Sequence, residues 1–381
     1  MAKIHGGLRN GYTTGTCAAA AAKAATVCLL GEKMKPAVEI VLPSGETLDV
    51  KIEEWQKGFN SITCGVKKDS GDDPDVTNGV LVYATVEKTD AEGIKIDGGL
   101  GIGRVTKRGL SVPVGEAAIN PVPRSMIKNE VSKIIQEYGY DGGLKIVISI
   151  PAGVELAKRT FNPRLGIEGG ISVLGTTGIV HPMSEQAWID AMRVEMNVLY
   201  ENVGEMIALT PGNYGETFLT QTLNVNKRYV SKCSNFVGDA ITFVNEIGFS
   251  KVLLCGHIGK FIKLAGGMTN LHSKYGDCRM ELLAASAAAE GAGRILACKI
   301  LDCVVVDDVL DLLDEEGLLE QTMTRVTDRI WFHVKNRFDE NTLTGLVVFS
   351  SVRGVLGKAG AAQVLVGQMQ TRDKEEEGKH D

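Results

Sequence analysis

Aromatic side chains are scarce, with Phe, Tyr and Trp making up 6% of the 381 residues. A chain so poor in rings is a weak platform for stacking single-stranded bases. Positive charge is not in excess either. The 41 basic residues are outnumbered by 47 acidic ones, giving a formal net charge of −6 and a pI of 5.7. That balance argues against general affinity for nucleic acid, although it permits a local basic pocket. Long apolar runs are missing: the longest, Cys17 to Ala22, is far short of the ~20 residues a membrane helix needs. The opening MAKIHGGLRNGYTTGT lacks the apolar stretch of a secretory leader. A soluble, cytoplasmic protein is expected, with no nucleic-acid or membrane partner. None of the eight cysteines sits in a CxxC pair, and most lie in apolar surroundings such as Val252 to Cys255. They read as reduced core thiols rather than a disulfide or zinc framework. No HExxH is present and the histidines lack ligand spacing, so no protein-bound metal is expected.

Glycine, by contrast, is abundant: 45 residues, well above the usual ~7%. This points to loops that bring backbone close to ligands. The pattern divides the chain. Residues 1–142 read as an α+β domain. It opens with a helix from Cys17 to about Leu30, rich in alanine, capped by Thr14 or Thr16 and stopped at Gly31. A hairpin around Pro43, Ser44 and Gly45, a strand from Val80, a glycine-dense turn at Gly98 to Gly103 and a helix from about Arg124 to Tyr138 follow. Residues 143–370 read as a doubly wound α/β domain with a parallel, Rossmann-like sheet. Its expected strands are Lys145 to Ile150, Ile171 to Leu174, Met206 to Thr210, Arg228 to Cys233, Lys251 to Gly256 and Leu346 to Ser350. Helices are expected at Ser184 to Asn202, Gly238 to Ile247, Arg279 to Cys298, Asp307 to Leu319 and Gln321 to Phe338. The tail, residues 371–381, has no apolar side chain and is expected to be disordered.

In an open α/β sheet, ligands sit where strands end and turn into helices. Four glycine-bearing segments occupy such places here. They are Gly175, Thr176, Thr177 and Gly178; Thr210, Gly212, Asn213, Gly215 and Glu216; Ser234 and Asn235 in the loop that runs on to Gly238 and Asp239; and Gly256 with His257. Together they predict a ligand pocket. Glu216 suits a pair of ribose hydroxyls, or it opens a helix. His257, between glycines at a strand end, suits a general base, a hydrogen-bond donor or a helix cap. A P-loop is excluded, because Gly256 to Lys260 and Gly354 to Lys358 have the wrong spacing and no following hydroxyl. Gly99 to Gly103 reads as a turn rather than a nicotinamide fingerprint.

Basic residues gather near the glycine-rich segments: Lys67, Lys68, Arg104, Lys107, Arg108, Arg124, Arg159 and Arg164. Singly each reads as surface charge. Together they suit a polycarboxylate, since guanidinium groups pair bidentately with carboxylates. The acidic run Asp69, Asp72, Asp73 and Asp75 lacks EF-hand spacing and reads as a structured turn.

Longer strings carry a resemblance. Leu8 to Cys17 with its alanine helix, Lys68 to Asp75, Asn120 to Arg124, Thr160 to Ile167, Gly175 to Gly178, Thr210 to Gly215, Ser234 to Gly238 and Gly256 to Gly267 resemble the CbiD family. The likeness runs from about Leu8 to Gly360. It implies a cobalt-precorrin-5B carbon-1 methyltransferase of anaerobic cobalamin biosynthesis. It implies S-adenosylmethionine as donor, with Gly175 to Gly178, Thr210 to Glu216, Ser234, Asn235 and Gly256 holding it and His257 as the candidate catalytic group. It also implies a cobalt-bearing macrocycle as acceptor, for which Tyr12, Thr13, Thr14, Arg104, Arg124 and Arg164 are the candidate contacts. The cobalt belongs to the substrate. Assembly as a homo-oligomer is left open. Two other classes stand beside this one, a nicotinamide-dependent oxidoreductase and a noncatalytic corrinoid-binding protein. Titration with adenosylmethionine against NADPH separates them.

Overall fold

The structure is a computed structural model that describes residues 4, 5 and 7–377, with side chains described from residue 7 to residue 370. The chain divides into two compact units, Met1–Glu185 and Gln186–Asp381.

The first unit is built round the alanine-rich helix Thr14–Gly31 (α1), buried along most of its length. By length and hydropathy this helix would pass for a membrane span, but 78% of that window is buried inside the fold. Alanine side chains let neighbouring backbones come close, and the helix Pro121–Tyr138 (α2) packs along it. The cap is Thr13, rather than Thr14 or Thr16: its hydroxyl accepts from the Thr16 N–H at 3.2 Å. Thr13 is the hydroxyl residue in extended conformation before the first turn, as capping requires. The stop is Glu32 in the left-handed region (φ 55°), donating its N–H to the Cys28 carbonyl, rather than Gly31.

A hairpin of Ala37–Val41 (β1) and Thr47–Lys51 (β2) follows. The central sheet of this unit then takes Glu54–Lys57 (β3), Ser61–Lys67 (β4), Leu81–Thr89 (β5), Ile94–Gly98 (β6) and Gly143–Ser149 (β7), in the order β3-β4-β5-β7-β6. Only β7 and β6 run parallel. The strand expected to open the parallel sheet of the second domain therefore lies in the first unit. Its apolar run is long because β7 has a neighbour on each side, which does not distinguish a parallel sheet from an antiparallel one. Likewise the strand expected at Ile171 to Leu174 is only Gly170–Ile171, paired with Gly101–Ile102.

The second unit centres on a five-stranded sheet. Met206–Thr210 (β8), Val230–Lys232 (β9), Lys251–His257 (β10), Leu343–Ser350 (β11) and Gly354–Gly360 (β12) lie in the order β9-β8-β10-β11-β12. The first four are parallel and β12 is an antiparallel edge. Side chains alternate between two cores. Ile207, Leu209, Val252, Leu254 and Val348 face the helices Glu185–Val203 (α3), Val237–Ile247 (α4), Ile258–Ala265 (α5) and Leu319–Lys335, among others. Ala208, Leu253, Cys255, Val347 and Phe349 face the turn at Phe218–Thr222 and the last helix, Ala362–Glu377. The helix expected at Arg279 to Cys298 is two, Arg279–Ala289 and Arg294–Asp302, broken at Gly291 with φ 99°. The tail expected to be disordered from Thr371 continues the last helix to Glu377, for its Arg, Lys and Glu residues are good helix formers. Residues 378–381 of that tail lie outside the described residues.

Glu130 on α2 is 1% exposed and joins α2 to α1. Its carboxylate accepts from Lys23 of α1 and from Lys133, each at 2.6 Å. Burial would raise the carboxyl, but the bonds from Lys133 and Lys23 outweigh it and hold the group below the usual carboxylate range. Its contribution is thus present above the unfolded-state value and lost as pH falls through the lower folded-state value. Glu130→Gln is expected to lower stability by about 3 kcal/mol at neutral pH. In urea titrations the gap from wild type should close as pH falls below the carboxylate range, and a gap independent of pH would refute the ionised pair. Ala20 is fully buried. Ala20→Leu is expected to cost about 1–3 kcal/mol by overpacking, read as a lower urea midpoint at unchanged slope.

Candidate functional site

Three parallel strands of the second unit end at one edge of its sheet, and each runs on into a turn or helix. After β8, Thr210 leads through Pro211 and Gly212 into the short helix Asn213–Thr217. After β9, Cys233 donates its N–H to the Thr210 carbonyl at 2.9 Å, so the two turns stay tied beyond the sheet. Ser234 then takes the left-handed conformation (φ 53°) and Asn235 precedes α4. After β10, His257 caps α5. The segments expected to hold a ligand at Thr210 to Glu216, Ser234 to Asn235 and Gly256 to His257 are thus brought together on one rim.

Gly215 is required by its neighbour. A Cβ there would stand 1.6 Å from the Thr210 hydroxyl oxygen. That hydroxyl is itself buried with no hydrogen-bond partner in the protein, a polar atom pointing beneath the loop. Asn213 accepts from Lys232 at 3.1 Å. Glu216 is bound by Lys227 at 3.0 Å and Lys232 at 3.1 Å, an arrangement that neither sequence reading of it contained. Burial pushes its carboxyl up, and the bonds from Lys227 and Lys232 more than reverse this. Lys232 is not among the basic residues that the sequence pattern singles out, all of which lie in the first half; its place at the end of β9, two residues before Ser234, is the available signal.

His257 does what a helix cap does. Its Nδ1 accepts from the Gly259 N–H at 3.1 Å. The other nitrogen, Nε2, therefore carries the proton in the neutral ring, which makes it a donor. Burial lowers the pKa of the ring, against a smaller opposing pull from Asp307. The imidazole stands edge-on to Phe349 at 5.4 Å, and the exposed ring of Tyr214 lies 6.4 Å away.

Gly175 to Gly178 is elsewhere. This segment follows no strand of the open sheet and belongs to the first unit, wrapped on the start of α1. The Thr14 hydroxyl donates to the Leu174 carbonyl at 3.1 Å, and that of Thr16 to the Gly178 carbonyl at 2.8 Å. Gly175 has φ 141°, and a Cβ on it would meet Thr13 Oγ1 at 2.2 Å. Thr177 bonds the Ile179 carbonyl, and Thr176 lies between it and Gly175. Tyr12 donates its hydroxyl to the Lys67 carbonyl at 3.0 Å, and burial pushes its phenol up. The acidic run next to it is a structured turn. Asp69 pairs with Arg9, Asp72 accepts from the Arg9 N–H, Asp73 from the Met183 N–H, and Asp75 pairs with Lys68.

Two of the three expected arginines share a cavity of about 470 Å³ in the first unit, with Lys95 and Lys145 on its wall. Arg104 pairs with Asp97 at 2.8 Å. Arg124 is largely committed within the fold, bonding the carbonyls of Ile119, Ile96 and Ala117 and the Glu116 carboxylate. Arg164 is not in this wall. Among the described residues no three His, Cys, Asp or Glu side chains form a cluster that would hold a metal ion.

The rim predicts its own sensitivities. Gly215→Ala is expected to lower stability by about 1–3 kcal/mol, because the loop must move off Thr210. His257→Ala is expected to cost about 1 kcal/mol, and His257→Asn, which keeps a capping side chain, only a few tenths. Thermal melts of the three variants check both.

Comparison with known proteins follows the same two-part division. The family described as CbiD matches residues 1–182, and the one described as CbiD, C-terminal domain, matches residues 270–360. The cobalt-precorrin-5B C(1)-methyltransferase of Ruminiclostridium cellulolyticum is 45% identical over 345 residues, 91% of this chain and 90% of that protein. Those of Thermoanaerobacter sp. strain X514 and Clostridioides difficile strain 630 are 42% and 38% identical, covering 93% and 94% of this chain and 96% of each relative. The crystal structure of the cobalamin biosynthesis protein (cbiD) from Archaeoglobus fulgidus is 29% identical and covers 70% of this chain and 83% of that one, with a TM-score of 0.37. Matched at this identity along nearly their whole lengths by such relatives, this chain belongs to the CbiD family.

Proposed function

We infer that this protein transfers a methyl group from S-adenosylmethionine to carbon 1 of cobalt-precorrin-5B, giving cobalt-precorrin-6A. The observation that carries the reading is the 45% identity to an enzyme of that name over nine-tenths of both chains. The second unit, read as a doubly wound donor-binding domain, supports it with the rim at Thr210 to Glu216, Ser234, Asn235 and His257. The buried Thr210 hydroxyl beneath the loop is a polar group with no partner of its own. The cobalt comes with the acceptor, and no resident metal is needed.

The chemistry asks little of the protein's side chains. The acceptor carbon supplies an electron pair to the methyl carbon, the carbon–sulfur bond breaks, and its pair stays on sulfur as S-adenosylhomocysteine leaves. The sulfonium is already a strong electrophile. The task is alignment of carbon, methyl and sulfur at about 3–3.5 Å, and positioning of this kind supplies ~7–11 kcal/mol. His257 fits such a role as a donor through Nε2 rather than as a base, because Nδ1 is committed to the cap. Lys227 and Lys232 fix Glu216 and so stiffen the loop around Gly215.

The direct test incubates the purified protein with S-adenosylmethionine and cobalt-precorrin-5B and reads the product by mass spectrometry. One added methyl group is expected, with no turnover when NADPH replaces the donor. No added methyl from a folded protein overturns the reading. Within the site, Gly215→Ala is expected to lower kcat/KM on the order of 100-fold through misplacement, and His257→Asn by less than tenfold. The reverse order would reject alignment as the main contribution.

A further inference from the structure

A second feature of this unit lies beside the rim, at the start of α5. A cavity of about 320 Å³ opens between α5 and the segment from Leu271 to Arg279, with Asn235 and Gly259 on its wall. Three cationic side chains line it: Lys260, Lys263 and Arg279. One carboxylate, Asp277, lines it too, and Arg279 holds that group through two bonds of 2.7 and 2.8 Å. The lysines are compensated differently. Lys260 donates to the Asn235 side-chain oxygen at 3.0 Å. Lys263 is 4% exposed, yet its ammonium bonds only two backbone carbonyls, Leu271 at 3.3 Å and Gly276 at 3.0 Å. Its third donor is left for the cavity. Among the described residues no carboxylate pairs with either ammonium.

A buried ammonium with no carboxylate bonded to it is expensive, and an apolar residue of similar length would be cheaper for folding alone. Asp277 is near enough for Lys263 to favour its charged form, but its hydrogen bonds go to Arg279. One buried ammonium with a donor to spare, and the exposed ammonium of Lys260 beside it on the same small cavity, are the arrangement of a site that waits for an anion. The volume suits one acidic arm, not a tetrapyrrole. We propose that Lys260 and Lys263 form a carboxylate-binding subsite next to the rim, which takes a carboxylate of one of the two reactants. The choice of carboxylate rests on the function inferred above. The donor carries one on its amino-acid end and the macrocycle carries several, while neither carries a phosphate. The shared Asn235, which follows β9 on the rim and bonds Lys260 in the cavity, places the subsite within reach of a ligand held there.

The test uses the full chain and three probes, S-adenosylhomocysteine, 5′-methylthioadenosine (which lacks the amino acid end) and cobyrinic acid, a corrinoid with free carboxylate arms. Binding is read by calorimetry for wild type, Lys263→Met and Lys260→Met. If the donor's carboxylate is held, both variants bind S-adenosylhomocysteine at least tenfold more weakly and bind methylthioadenosine as wild type does. If the acceptor's arm is held, the tenfold loss falls on cobyrinic acid and the donor product is unaffected. Folded variants that keep both affinities within twofold overturn the proposal. Should Lys263→Met not fold, Lys260→Met decides, since its side chain bonds only Asn235. Wild type binding neither S-adenosylhomocysteine nor cobyrinic acid would sink the inferred function instead. Citrate then decides the subsite: protection of Lys260 from an amine-reactive reagent, read by mass spectrometry, retains it, and no protection removes it.

Discussion

Parallel pairing of β9, β8 and β10 is the constraint on which the chemistry of the second unit depends. Strands that run the same way must leave the sheet at the same edge. Thr210 is opposite Lys232, and Leu209 is opposite Ser231 and Leu254. Those registers set the heights at which the three turns begin, and β10 runs on to His257 before α5 starts. Each turn then meets a helix by its N-terminal end, where unpaired N–H groups and the macrodipole favour polar and anionic partners. His257 satisfies one of those groups on α5 itself, as the Gly259 N–H shows. An imidazole in that position is rigid, neutral and oriented, which is worth more to an alignment site than basicity.

In the first unit the comparable constraint is backbone approach. The segments Arg9–Tyr12, Asp69–Gly71 and Leu174–Gly178 lie so close that side chains are excluded between them. A Cβ on Gly11 would stand 2.2 Å from the Ser70 carbonyl carbon, and one on Gly71 2.1 Å from the Arg9 carbonyl oxygen. The N–H of Tyr12 donates to the Asp69 carbonyl, that of Thr13 to Gly178 and that of Gly15 to Leu174. Three strings far apart in the chain are therefore one packed knot over the start of α1. Their residue types follow from that packing, with glycine where chains touch and threonine where a hydroxyl must bridge two backbones.

This explains which parts of the molecule were legible in the sequence. Strands and helices with a strong period were placed well, as were the turns at Thr210 and Ser234 and the strand end at His257, because each follows an apolar run directly. Gly175 to Gly178 misled for a physical reason: a short apolar run followed by glycine looks the same at a sheet edge and in a loop folded over a helix. Lys145 to Ile150 misled because burial on both sides is a property of central position, not of strand direction. Pairing partners were beyond reach. Nothing in the local pattern around Glu216 reveals that Lys227 and Lys232 converge on it, and nothing near Lys263 reveals that its ammonium ends among carbonyls of a segment that follows it. Such contacts depend on where whole elements pack, and a single chain's periodicity does not encode that.

Charge illustrates the difference between a global and a local reading. The chain is acidic overall, yet each unit has a cavity walled by basic side chains, one with Arg104, Arg124, Lys95 and Lys145 and one with Lys260, Lys263 and Arg279. At physiological salt the surface field fades over ~8 Å, so surface acids do not cancel charges lining a cavity. In the first unit, three carbonyls and the Glu116 carboxylate already occupy much of the guanidinium of Arg124. That cation works chiefly as a fastening, and the capacity of its cavity for an acid rests more on Lys95 and Lys145. In the second unit the balance is reversed. Arg279 is bonded to Asp277, whose charge also reaches Lys263, but the lysines bond only neutral oxygens, which solvate an ammonium without neutralising it. A carboxylate entering there meets two ammonium groups to which no carboxylate is bonded, so of the two cavities this one has the larger unsatisfied demand for an acid.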